Sequence, residues 1–483
     1  MTLIIVAILL VGYLLIATEK LTNINKAAVA IFVAAVGWVL YISYGADFVM
    51  ARYPDGYRDF YVSTTSQLVW QGEITPVVSS VIKQFIAQNV FLPWVGRASE
   101  IVLFLLATMT IVEILSNNGC FDFISQLLRT RGSKKMLWML ALVSFFISAN
   151  LDNLTTVVMM LTIMHRVIPN RRQRMVFGSA ILLAANCGGA LTVIGNPEGL
   201  VLWNMGAVTA TNFSLTLLLP CLVAWLLPTV LLGRMLPERI ETEWISLPYR
   251  GDDTRLNVWQ RLVMLFVGIG GLWFIPTFHN ITKLSPFIGA LCVLAVLWIV
   301  NEIFNRKLLN TDEVIYRHTP RLLQYGSIQM ILFVMGIMLA LGVVKETGAV
   351  DMFVEWADTG IHSVWTMGLL AGSVSAVLDN FATAMSMFTL RGVYDPILYD
   401  VIGAPADYFM QNGLYWKVIA FCVMAGGNVL TVGSMGGLIL MKMERMHVGW
   451  YFRNVGWKAL VGGLLGLLVL WLLVAMGIGQ VQV

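Results

Sequence analysis

Runs of about 18 or more apolar residues recur along nearly the whole chain, each long enough to cross a lipid bilayer as a helix. The runs are continuous rather than alternating apolar and polar, which favours helices over a membrane β-barrel. Composition agrees: of 483 residues, 58% are hydrophobic and 12% charged, against about a quarter charged in soluble domains. The chain therefore reads as an all-α polytopic membrane protein.

Crossings are predicted near residues 3 to 18, 27 to 45, 97 to 117, 175 to 205, 214 to 235, 259 to 276, 286 to 305, 326 to 344, 415 to 441 and 455 to 477. The first run lacks a basic leader and a small-residue cleavage site, so it is read as a span rather than a signal peptide. The net charge of +4 comes from basic loops between apolar runs, a signal for orientation and lipid rather than for nucleic acid. Five cysteines, Cys120, Cys187, Cys221, Cys292 and Cys422, form no C-x-x-C pair and read as buried thiols.

Two apolar stretches carry an ionisable residue in the same setting. Ser148 to Thr156 reads SANLDNLTT and Ser375 to Thr383 reads SAVLDNFAT. Around the first, RTRGSKK and HRVIPNRRQR hold eight Lys or Arg and no acid. Basic flanks on both sides place both ends in the cytoplasm, so residues 136 to 164 are predicted to be a re-entrant hairpin turning at Asn150-Leu151-Asp152-Asn153. The flanks of the second hold seven acids and two basic residues, and residues 364 to 390 are predicted to enter from outside. With the basic loops around Arg234 to Arg255, Arg306 to Arg321 and Lys442 to Arg453 inside, both termini fall outside. Amphipathic interfacial helices are expected in FDFISQLLRT and VDMFVEWADTG.

The stretches belong to a longer self-similarity. At an offset of 227, Ser148, Ala149, Leu151, Asp152, Asn153, Thr156 and Met160 match Ser375, Ala376, Leu378, Asp379, Asn380, Thr383 and Met387. At an offset of 238, Gly188, Gly189, Gly195, Gly199 and Leu200 match Gly426, Gly427, Gly433, Gly437 and Leu438. Two inverted repeats are predicted, each with five crossings and a hairpin. The first is 1–236 (hairpin 136–164, broken helix 175–205), the second 259–483 (hairpin 364–390, broken helix 415–441), and 237–258 is a cytoplasmic linker. The polar stretch from Ala46 to Gln71 suggests no chemistry.

A carboxylate at the bilayer centre costs at least about 2.5 kcal/mol, so its presence in both halves points to function. Hard cations such as sodium take oxygen ligands from carboxylates, amides, hydroxyls and carbonyls freed at helix breaks. Ser148, Asn150, Asn153, Thr155 and Thr156 offer such oxygens around Asp152, and Ser375, Asn380 and Thr383 around Asp379. The glycine blocks are expected to unwind in mid-membrane, bringing up Asn186, Thr192, Asn196 and Glu198 in one half and Asn428, Thr431 and Ser434 in the other. Packing alone would explain a lone G-x-x-x-G, but not four glycines with asparagines at paired positions. Glu113 reads equally as a relay or an interfacial group. Glu302 and Lys417 are expected to snorkel from span ends, and His165, His318 and His447 to be solvated beside basic clusters.

In FLLATMTIVEIL, FFISANLDNLTTVVMM, AANCGGALTVIG, LVLWNMGAVTATNF, SAVLDNFATAMSM and VGSMGGLILMKMERMHVGWYF the chain resembles the NhaD family of sodium/proton antiporters. That family belongs to an ion-transporter superfamily with arsenite pumps and divalent-anion symporters. The resemblance implies exchange of sodium or lithium for protons without a cofactor, with Asp152, Asn153, Thr155, Thr156, Asn186, Thr192, Ser375, Asp379, Asn380 and Ser434 at matching positions. It also implies a homodimer with an elevator-type transport domain, in a bacterial inner membrane. One position departs: where such antiporters have Ile-Gly-Asp-Val-Thr, this chain has Ile194-Gly195-Asn196-Pro197-Glu198. An acid has become an amide, and Glu198 would point elsewhere on a helix.

On this reading Asp152 and Asp379, with Asn153 and Asn380, bind a cation or a proton in turn. A second reading keeps the fold and has sodium drive uptake of a small anion such as a dicarboxylate, held at half-helix N-termini. Against it, the motif blocks contain no Arg or Lys, and Leu-Asp-Asn stands where anion symporters typically have Ser-Asn-Thr. A third reading, an intramembrane aspartyl protease, lacks the Gly-x-Gly-Asp pattern at Asp379; no enzyme is expected.

Overall fold

The computed structural model describes residues 1–65, 76–121, 132–240, 256–305, 321–360, 363–394 and 406–477. Among them every named element is a helix, and extended pairing is limited to two isolated bridges, Gly132 with Arg239 and Tyr394 with Met410. Seven helices among the described residues are long and apolar enough to cross a membrane, with further shorter apolar helices at Thr2–Ala17, Asn153–His165, Val364–Ser375 and Leu414–Gly427. The protein is thus an all-α polytopic membrane protein. The expected interfacial helix in FDFISQLLRT, most of the linker, His318 and most of the acidic loop after Tyr394 lie outside the described residues.

The chain divides into two compact units, Met1–Val102 with Gln329–His362, and Leu103–Ile328 with Ser363–Val483. In the first, helix Thr2–Ala17 packs on Lys26–Ser43, where a Cβ at Gly12 would collide with Val33. Trp38 Nε1 donates to the Leu339 carbonyl at 3.0 Å. Buried Glu346 accepts from Trp94 Nε1 at 3.0 Å and Tyr53 Oη at 2.8 Å, with Arg52 Nε 3.7 Å away. The Ala46 to Gln71 stretch contributes here: it contains helices Gly45–Arg52 and Pro54–Thr65 rather than a plain loop.

In the second unit the two predicted hairpins and the two glycine blocks are all interrupted helices. The stretches expected to be hairpins hold the helix pairs Ser133–Ser148 with Asn153–Val167, and Val364–Ser375 with Asn380–Leu390. The glycine blocks separate Arg171–Gly189 from Pro197–Asn204, and Leu414–Gly427 from Met435–Glu444. Residues 176–189 are buried on every face, as expected for a helix enclosed by other helices rather than by lipid. Helix Ala210–Gly233 lies against Trp457–Ala475, where Gly462 and Gly466 admit the Ala224 and Pro220 carbonyls. Small residues permitting close backbone approach are the usual means of packing helices in lipid.

Enclosure also corrects one expectation. Lys417 does not snorkel: it is fully buried, in a helix whose residues from Tyr415 to Met424 are buried throughout. Glu302 is exposed as expected.

Candidate cation site

Each Leu-Asp-Asn motif stops one helix and starts another. Helix Ser133–Ser148 ends four residues before Asp152, which is the N-cap of Asn153–Val167. Its Oδ2 accepts from Thr155 N at 3.1 Å and from Thr155 Oγ1 at 3.3 Å. Asp379 is the N-cap of Asn380–Leu390, with Oδ1 accepting from Phe381 N at 3.0 Å. An aspartate is among the best N-caps because its oxygen satisfies an amide the helix leaves unpaired. Backbone angles repeat as well: φ −54°, ψ 139° at Asp152 and φ −56°, ψ 139° at Asp379.

The glycine blocks restart in the same manner. Asn196 caps Pro197–Asn204 through Gly199 N at 2.8 Å, and Ser434 caps Met435–Glu444 through Gly437 N at 3.1 Å. Pro197 occupies the first helical position, where its missing N–H costs nothing. Glu198 follows, buried in the first turn, where the helix dipole favours its charge.

Hairpin and broken helix are joined by matching bonds in the two halves. Ser148 Oγ donates to the Ala185 carbonyl at 2.6 Å, and Ser375 Oγ to the Val423 carbonyl at 2.7 Å. A Cβ at Gly188 would be driven into the Phe145 carbonyl, and one at Gly426 into that of Gly372. A Cβ at Gly189 would stand 3.1 Å from Asn153 Cβ, and one at Gly427 3.4 Å from Asn380 Cβ. The glycines therefore bring each broken helix directly onto its hairpin turn. The first half carries two further bonds, Thr192 Oγ1 to the Ala149 carbonyl at 2.5 Å and Asn153 N to the Gly195 carbonyl at 3.1 Å.

Asp152 and Asp379 are each 3% exposed. Asp152 Oδ1 and Thr156 Oγ1 are buried atoms with no hydrogen-bond partner among the described residues. Polar atoms in that condition cost free energy unless a ligand completes them, and two oxygens suit a cation. Thr383, the match of Thr156, instead returns its hydroxyl to the Asp379 carbonyl at 3.0 Å. Asn153 Nδ2 donates to Asn186 Oδ1 at 3.4 Å. Asn186 Nδ2 donates in turn to Asn428 Oδ1 at 2.8 Å and to Ser434 Oγ at 3.4 Å. One amide chain thus runs from the first hairpin to the second broken helix. Among the described residues no three His, Cys, Asp or Glu gather as a metal site, so the oxygens here are mostly neutral, around one carboxylate per half.

Some expected groups lie elsewhere. Asn150 is turned away from Asp152: its Nδ2 donates to the Phe146 carbonyl at 2.7 Å and its Oδ1 accepts from Trp273 Nε1. Its match is Val377, an exposed apolar residue. Thr431 Oγ1 is spent on Met441 Sδ. Glu113 is half-buried in Leu92–Asn117. His447 and His165 are both exposed as expected, and His165 Nδ1 lies 3.0 Å from Glu444 Oε1. Arg174 Nε reaches both Glu444 oxygens at 3.1 and 3.0 Å. This cluster around the buried Glu444 was missed because His165 sits in a basic stretch whose acid partner is 279 positions away.

A family model described as citrate transporter matches residues 13–396. Sodium/proton antiporter 2 of Arabidopsis thaliana is 30% identical over 378 residues, covering 77% of this chain and 85% of that protein. Sodium/proton antiporter 1 of the same plant is 32% identical over 76% of this chain and 60% of its own length. The Na(+)/H(+) antiporter NhaD of Vibrio parahaemolyticus is 24% identical over 75% of this chain and 87% of that protein.

Proposed function

The chain belongs to the citrate transporter family, and we propose that, like the relatives named sodium/proton antiporters, it exchanges sodium or lithium for protons across a membrane. The observation that carries this reading is the buried Asp152 carboxylate, one oxygen of which is engaged by Thr155 while the other has no partner. Such an oxygen accepts either a proton or a cation, not both, and competition for it makes exchange obligatory.

On this reading Asp152, Asn153, Thr155 and Thr156 form one half-site, and Asp379, Asn380 and Thr383 the other. Ser148, Thr192, Asn196, Ser375, Thr431 and Ser434 hold the frame, and Glu113 and Glu198 are proton-relay candidates. The repeats 1–236 and 259–483 are inverted, their hairpins re-entering from opposite sides, with both termini outside. The protein works as a homodimer in a bacterial inner membrane, its site-bearing part moving as an elevator. Membrane lipid and the transported ions are its partners, and it catalyses no chemical conversion.

The family description favours one other cargo, a carboxylate anion. Four helix N-termini, at Asp152, Asn196, Asp379 and Ser434, would suit it electrostatically. Two of those termini are already capped by carboxylates, which repel an anion. The reading is tested with purified protein in liposomes holding a pH-sensitive dye: pulses of sodium or lithium should move protons and potassium should not. Absence of any cation-driven proton movement, together with sodium-driven citrate uptake, would replace exchange by anion symport.

A further inference from the structure

The frame of the site is repeated, but its crosspiece is not. By the offset that aligns the glycine blocks, Asn186 falls opposite Met424 and Asn428 opposite Ala190. Neither amide has a counterpart, yet together they make the 2.8 Å bond that joins the two broken helices. Both are 3% exposed, so water does not compete for this bond.

The direction of the bond is set by sulfur. Asn428 Nδ2 lies 3.4 Å from Met424 Sδ and 3.6 Å from Cys187 Sγ. A thioether accepts and cannot donate, so the NH2 group of Asn428 must face Met424 and its Oδ1 must face Asn186. Asn186 then presents its own NH2 to Asn428 and Ser434, and its oxygen to Asn153. Every amide in the chain is oriented in one sense, from Asn153 to Met424. That leaves Asn153 Oδ1, on the residue that follows Asp152, as the acceptor the chain does not consume.

We propose that the Asn186–Asn428 bond couples the two half-sites energetically, and that Met424 and Cys187 are positioning residues that fix its polarity. The proposal rests on the reading of Asp152 and Asp379 as cation-binding carboxylates. A cation at Asn153 Oδ1 draws electron density through that amide and makes its N–H a stronger donor. The effect passes along aligned bonds, which polarise one another, to Asn428 and to Ser434, the cap of the second broken helix. Occupation of the first half-site thereby firms the frame of the second, and sodium binding becomes positively cooperative.

The test is the sodium dependence of proton flux in proteoliposomes for wild type, Asn428→Ala and Met424→Leu. Met424→Leu keeps the volume and removes the acceptor. The expected result is a sigmoidal dependence in wild type that becomes hyperbolic in both variants. A merely structural role would lower the maximal rate and leave the shape unchanged. A hyperbolic wild type, or sigmoidality that persists in the variants, overturns the coupling; if Asn428→Ala fails to reconstitute, Met424→Leu decides. Absence of any sodium-driven flux in wild type overturns the exchange reading itself, a distinct outcome.

Discussion

Asn196 and Ser434, 238 positions apart, cap the restarting halves of two broken helices with the same hydrogen bond, to Gly199 N at 2.8 Å and to Gly437 N at 3.1 Å. Their backbone angles agree as well, φ −151°, ψ 158° against φ −143°, ψ 150°. The amide that replaces the acid of resembling antiporters is therefore a helix cap, whatever else it does.

The first prediction follows from that role. Asn196→Asp keeps the cap, since the two residues cap about equally well, whereas Asn196→Ala loses about 1 kcal/mol. Melting of purified protein in detergent should separate them, with only the alanine variant destabilised. The aspartate also adds an ionisable group beside the site, so the number of protons moved per sodium should rise.

The second concerns the contact of hairpin and broken helix. Gly188→Ala and Gly426→Ala each place a methyl against a carbonyl, of Phe145 and of Gly372. Backbone on both sides leaves no side chain to yield, and overpacking of this kind costs about 1–3 kcal/mol. Both variants should melt lower than wild type; equal loss from the two would reflect the repeated geometry.

A third prediction concerns Glu444. Its side chain is fully buried between Arg174 and His165, and Arg171 donates to its carbonyl at 2.9 Å. Glu444→Ala leaves Arg174 without its carboxylate, a change that costs about 3–5 kcal/mol when the pair is buried. Thermal unfolding should show it, and the double variant Glu444→Ala, Arg174→Met should recover part of the loss.

The fourth concerns cargo. Radiolabelled citrate and succinate should not accumulate in proteoliposomes under an inward sodium gradient, because Asp152 and Asp379 place negative charge at the helix ends an anion would use. Sodium-dependent accumulation of either would favour the anion reading.

Helix breaks at both motifs were legible because a polar Leu-Asp-Asn inside an apolar run has few other uses, and aspartate is a strong cap. Asn196-Pro197-Glu198 likewise reads as a helix start once the run before it has ended. What could not be read was which side each polar group takes. Asn150 lies two residues from Asp152 yet bonds Trp273, a partner set by tertiary packing. Lys417 looks like a span-end lysine until neighbouring helices enclose it. Neither Asn186 with Asn428 nor His165 with Glu444 carries a local signal, since each pair joins residues more than 200 positions apart.

The measurement closest to the central claim is simultaneous recording of sodium entry and proton release in proteoliposomes for wild type, Asp152→Asn and Asp379→Asn. Wild type should move both ions in a fixed ratio, and Asp152→Asn should abolish both fluxes while the protein still melts cooperatively. Full sodium-driven proton release in Asp152→Asn would contradict the account.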